Sequence, residues 1–287
     1  MSQETLKVSA DSGSSMVDKH GGDDIPRRKS SFLAKRSSSA SALSIIGGLA
    51  IWEFCGRFLV KNSLFLATPS QVVEEIIELA RTGELGVHVW ASAQEFVIGL
   101  SIAIVLGIAI GFVMASSRIG EQVFGPWVTA LYATPTVAIS PLIILWAGIG
   151  VWSKAIVVII NSIFPMIINT DAGLRATDKH LIDAARCFGA SRLQIFWKVS
   201  LPSAIPFVLA GLKLAVGRGL VAVVVAELFG SRAGLGYLLV QAAEVFNMPR
   251  LFAAVVILAV TGIVLTALVG RLERFLLPWR FVGQESK

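Results

Sequence analysis

DAARCFGASRLQIFWKVSLP, residues 183–202, is a polar, helix-forming island in a chain otherwise built of long apolar runs. Its local chemistry reads as two short helices joined at a tight corner. Asp178 caps the first, and Leu181, Ala185 and Phe188 are spaced to form one apolar face. Gly189 stands where a left-handed residue ends a helix, a conformation glycine takes without steric cost. Ser191 caps the second helix, and Gln194, three residues on, completes a capping box. Leu193, Phe196 and Trp197 supply its apolar side, and Pro202 limits its end. Ala184 and Ala185 keep one side of the first helix narrow, so another protein's backbone could approach closely. Such a hairpin either docks on a partner or rests on a membrane surface, and its own residues leave both open.

The composition around the island is that of a membrane protein. The chain has 287 residues, of which 55% are hydrophobic and only 15% charged, with a mean hydropathy of +0.74; soluble domains carry about 25% charged residues. A net charge of +6 would suit nucleic acid, but in this composition it reads as basic loops facing a cytoplasm, and no nucleic-acid partner is expected. Cys55 and Cys187 lie far apart without a CxxC, and His20, His88 and His180 show no ligand spacing, so no disulfide framework, metal or cofactor is implied. No nucleophile elbow or metal motif suggests an enzyme.

Residues 1–43 are Ser-rich, hold seven Lys/Arg and lack an apolar run, which predicts a disordered basic tail. The remainder, 44–287, predicts an all-α integral membrane fold: a polytopic bundle of about six transmembrane helices, near 44–60, 95–115, 123–146, 152–170, 204–229 and 251–269. Pro135 and Pro141 predict a kink or interruption in the third. With both termini inside, cytoplasmic segments hold seventeen Lys/Arg and the outer segments five (Lys61, Arg81, Lys154, Arg232 and Arg250), which places the island in the cytoplasm. TPSQVVEEIIELART predicts a surface helix at the outer interface, with Thr68 as N-cap, Pro69 at the first position and Gln71 closing a capping box. Residues 230–246 are too broken by glycine for a seventh span, and Trp279 beside basic residues suits an interfacial anchor.

Ionisable residues inside spans are costly and mark candidate sites. Glu53 and Arg57 are spaced to pair on one helix face. Lys213 and Arg218, with Glu227 the nearby acid, form a candidate substrate path for an anion; they equally suit pairing with Glu95 or Glu227 that locks the bundle.

Asp183-Ala184-Ala185, three residues, Gly189, nine residues, then Val199-Ser200-Leu201-Pro202 resembles the E-A-A-x3-G-x9-I-x-L-P loop of ABC importer permeases. The chain is similar to the binding-protein-dependent transport permease family, in its nitrate, sulfonate and taurine branch, over about residues 67–275. TPSQVVEEIIELARTGEL, PLIILWAGIGVWSK, FPMIINTDAG and AELFGSRAGLGYLL carry the likeness further. Asp183 departs from the usual Glu, keeping the charge with a shorter reach. The resemblance implies that 178–202 is a cytoplasmic coupling hairpin seated on an ATPase subunit, with Asp183, Ala184, Ala185, Phe188, Gly189, Leu201 and Pro202 as coupling residues. It also implies a solute-binding protein outside, a second copy of the permease, and residence in a bacterial cytoplasmic (inner) membrane. The chain has no G-x4-G-K-[ST] and no Gly-Lys dipeptide, so ATP would be bound by a partner chain. An ATP-independent secondary transporter or channel is the alternative, against which the coupling loop counts.

Overall fold

A computed structural model describes residues 31–59 and 65–278. Lys61, Trp279 and residues 1–30 of the expected tail lie outside the described residues. The chain divides into two compact units, Met1–Gly48 and Leu49–Lys287, and the bundle belongs to the second. Every regular element among the described residues is helical.

The first helix, α1 (Ser31–Phe54), starts before the expected apolar boundary, so positions 31–43 are helical where a disordered tail was expected. It ends in a wide π-type turn, Cys55–Leu59. Trp52 donates its indole N–H to Ala67 O at 3.0 Å. Glu53 pairs with Arg57 at 2.5 Å and accepts the Ser70 hydroxyl at 2.8 Å, tying the end of α1 to α2 (Pro69–Arg81). In α2 the Thr68–Gln71 capping box is formed in both directions. Its Val72 and Leu79 pack on Leu238, Ala253 and Ala254, so this surface helix rests on protein as well as facing outward.

The core is three long helices: α3 (Glu84–Ser116), α6 (Val151–Arg175) and α9 (Leu201–Gly230), with α6 the most deeply buried of the apolar spans. Gly99, Ala103, Gly107 and Gly111 recur every four residues along one face of α3, which meets α6. A β-carbon at Gly99 would lie 2.6 Å from Val158 Cβ, one at Gly107 would strike Met166 Cβ, and one at Gly111 would lie 2.7 Å from Ile167 O. Small residues at this spacing let two backbones meet closely, which is how helices associate where lipid removes the hydrophobic drive. Gly211 and Gly219 of α9 extend the same solution to the other side of α6, against Asn169 and Ser162.

Among the described residues, four helices are long and apolar enough to span a membrane, or five if a bent pair counts as one. α1 is not among them. The expected third span is two helices, α4 (Arg118–Ala133) and a short 3-10 turn leading into α5 (Ser140–Ala147), meeting at 83°. Pro135 stops α4 because it restricts Thr134 to extended backbone, observed at ψ 139°. The second span begins at Glu84, eleven residues earlier than the sequence suggests. After α9 come α10 (Leu235–Glu244), too short to span, and α11 (Met248–Leu276).

Substituting Gly107→Val forces α3 away from Met166. We expect a large loss of thermal stability for the detergent-purified protein, whereas Gly125→Ala, with open space around it, should leave the melting curve within about 0.5 kcal/mol of wild type.

Candidate functional site

The island forms the hairpin its caps call for. In α7 (Lys179–Cys187) the Asp178 carboxylate accepts His180 N–H at 2.8 Å. The helix closes with Gly189 at φ +76°, Gly189 N–H donating to Arg186 O at 2.9 Å and Ala190 N–H to Ala185 O at 3.0 Å. This pair of bonds satisfies the last carbonyls and demands a left-handed corner, so a side chain at 189 costs about 1–2 kcal/mol. In α8 (Arg192–Ile195) Ser191 and Gln194 cap each other's backbone at 3.3 and 2.8 Å.

The second helix does not stop at Pro202. It passes through a π-type turn, Phe196–Ser200, directly into α9, giving an unbroken helical run Arg192–Gly230 of 39 residues. Pro202 sits in the first turn of α9, where a missing N–H costs little. Phe196 packs on Phe112 of α3 at 4.8 Å between centroids, and Arg175 donates to Met114 O at 2.8 Å, so the hairpin's base is held to the bundle. Its outer side is uncovered: Phe188 is 91% exposed, Leu193 68% and Leu181 53%. Ala184 and Asp183 are also exposed, Asp183 accepting only from Arg186 at 3.1 Å, and Ala185 borders a hollow with Phe188, Gly189 and Ile195.

The expected path residues do not come together. Lys213 forms an ion pair with Glu273 of α11. Glu227 is 1% exposed and serves the loop after α9. It accepts the Ser92 hydroxyl at 2.5 Å and Gly236 N–H at 2.6 Å, while Ser92 Oγ accepts Leu235 N–H at 2.8 Å and His88 Nδ1 accepts Gly234 N–H at 3.1 Å. The buried first turn of α10 is thus capped from α3 and α9, and the carboxylate lies at its positive end. Lys154, expected in an outer loop, is buried in the first turn of α6, paired with Glu95 and donating to Ser231 Oγ at 2.8 Å. Glu95 Oε2 is buried without a hydrogen-bond partner among the described residues. Arg218 takes neither carboxylate; its guanidinium lies over the Tyr132 ring, 4.3 Å from the centroid.

His88 and Lys154 were missed as structural residues. His88, Ser92 and Glu95 share one face of α3 at helical spacing, a signal that is lost when the span is begun at Glu95.

Known proteins resemble the chain in this architecture. A family model described as "Binding-protein-dependent transport system inner membrane component" matches residues 103–279. The formylaminopyrimidine transport permease protein ThiX of Halalkalibacterium halodurans is 33% identical over 81% of this chain and 92% of its own. The putative aliphatic sulfonates transport permease protein SsuC of Bacillus subtilis is 35% identical, over 81% of this chain and 84% of its own. The taurine transport system permease protein TauC of Escherichia coli is 30% identical, over 80% and 86%. In fold, the chain is similar to an inward-facing structure of the MetNI methionine ABC transporter, with a TM-score of 0.56 at 20% identity, over 65% of this chain and 93% of that one.

Lys154→Met leaves Glu95 and Glu227 buried without a cation. We expect a destabilisation of about 3–5 kcal/mol in chemical denaturation of the purified protein, with much of it recovered in Lys154→Met/Glu95→Gln.

Proposed function

The chain belongs to the family of binding-protein-dependent transport system inner membrane components, and from that premise we propose that it is the membrane-spanning subunit of an ATP-driven importer. In this reading it passes a small anionic solute, of the sulfonate or taurine kind, handed over by a solute-binding protein. A separate ATPase subunit supplies the energy, and two copies of the chain enclose the path. The termini and the hairpin lie in the cytoplasm, as the excess of Lys/Arg on that side favours.

The observation that carries this is the hairpin itself. It is stiffened by three caps and a glycine corner, clamped at its base, and left with Phe188, Leu181 and Leu193 bare. An apolar tip on a rigid stalk fits a cleft in another protein better than open water. Asp183, Ala184, Ala185, Phe188 and Gly189 would make the contact, and Leu201 and Pro202 mark where the stalk joins α9. Because α7 follows α6 and α8 runs on into α9, a displacement of the hairpin acts on two core helices at once. A bundle with two packings can then be switched by a partner that binds one of them more tightly.

The test is co-purification with the candidate ATPase and ATP-dependent uptake in reconstituted vesicles. Ala184→Arg places bulk and charge on the exposed contact face, and Gly189→Pro forbids the φ of +76°. Both variants should reach the membrane, lose the ATPase and lose uptake. Retention of ATPase and transport by both would make the hairpin a surface ornament and return an ATP-independent carrier to consideration.

A further inference from the structure

Lys154 of α6 and Lys213 and Arg218 of α9 differ in what holds them. Lys154 and Lys213 each hold a carboxylate, whereas among the described residues Arg218 has no ion pair and donates no hydrogen bond. Arg218 is 17 residues from the start of α9 and 12 from its end, about 26 and 18 Å at the rise of a helix, which puts it at mid-membrane depth. There its side chain is exposed on the surface of the single chain. A lipid-facing guanidinium at that depth is costly, so this face is turned to water or protein.

The neighbouring backbone makes the same demand. Arg218 borders a cavity with Tyr132, Thr134, Pro135, Thr136 and Asn161. Pro135 breaks the helix between α4 and the 3-10 turn, and irregular backbone at membrane depth is tolerated only when buried in protein or lining a water-filled cavity. Thr136 spends its hydroxyl on Asn161 Oδ1 at 2.7 Å and Thr134 on Ala130 O at 2.9 Å, so these side chains fix the wall. The guanidinium, lying on the Tyr132 ring, is held by its face while its N–H edge stays unspent. That edge is a planar fork of donors matched to the paired oxygens of a sulfonate or carboxylate.

We propose that Arg218, laid over Tyr132 beside the break at Pro135, is an anion-receiving site on the wall of the translocation path, fitted to the oxyanion head of the solute. This rests on the importer reading for the identity of the path. It separates Arg218 from Lys213 and Glu227, which hold helices together.

The test uses Val221, which lines the same cavity one turn from Arg218. The full chain, carrying Val221→Cys with Cys55→Ser and Cys187→Ser, is labelled in right-side-out and in inverted membrane vesicles. The probes are sulfonatoethyl and trimethylammonioethyl methanethiosulfonate, each rate normalised to that with a free thiol. The anionic reagent should react faster, by about tenfold, as for a charged cleft. Arg218→Gln should abolish that preference, Arg218→Lys should keep most of it, and methanesulfonate should slow the labelling in the Arg218 protein only. No labelling from either side would show that the face meets lipid or protein, and would overturn the proposal. So would a preference that Arg218→Gln leaves intact. Labelling requires neither ATP nor an ATPase, so its failure is distinct from failure of the importer reading, which uptake and co-purification decide.

Discussion

The close approach of α3 to α6 is the constraint on which the rest of the bundle depends. With glycine at 99, 107 and 111 and alanine at 103, α3 presents almost no side chain to α6, and Val158, Met166 and Thr170 lie directly against its backbone. Only at that separation can Glu95 of α3 reach Lys154 of α6, and only then does Ser92 stand where it bridges Glu227 and Leu235. The order of cause runs from small residues, to a short interhelical distance, to buried polar bonds that could not otherwise form. Those bonds in turn secure the loop 230–234 and the first turn of α10 at the end of the bundle away from the hairpin.

Charge inside the bundle is used in three different ways. Glu95–Lys154 and Lys213–Glu273 join helices; the first is buried, and a buried pair specifies an arrangement more than it adds stability. Glu227 acts as a cap for a helix that has no capping side chain of its own at Gly234. Arg218 is spent on neither purpose. It lies on the Tyr132 ring of α4, and among the described residues it has no ion pair.

What was legible in the sequence was local. The capping boxes at Thr68 and Ser191, the corner at Gly189, the break at Pro135 and the surface helix at 69–81 each follow from a few adjacent residues, and each is present. What failed depended on residues far apart in the chain. Lys154 sits just after a Gly-rich turn and so counts as a loop residue until Glu95, 59 positions earlier, is brought beside it. Lys213 and Glu227 share a helix in sequence but answer to α11 and α10 in space. The 83° at which the break at Pro135 turns the chain was likewise not readable. The four-residue stripe of small side chains on α3 was readable in principle, since its period is that of a helix.

The uninterrupted passage from α8 into α9 has a mechanical consequence. The run Arg192–Gly230 is one shaft, about 58 Å long, with half of the exposed hairpin at one end and Arg218 part-way along it. Between them lie the π-type turn, Pro202 and Pro206, where the helix can bend, but no loop or glycine corner to absorb slack. A tilt or rotation of the hairpin end is therefore carried towards the guanidinium, and a turn of one residue, about 100°, would swing it out of the cavity. On the proposed importer reading, timing comes with the geometry: the partner that grips the hairpin also decides when the charge is shown.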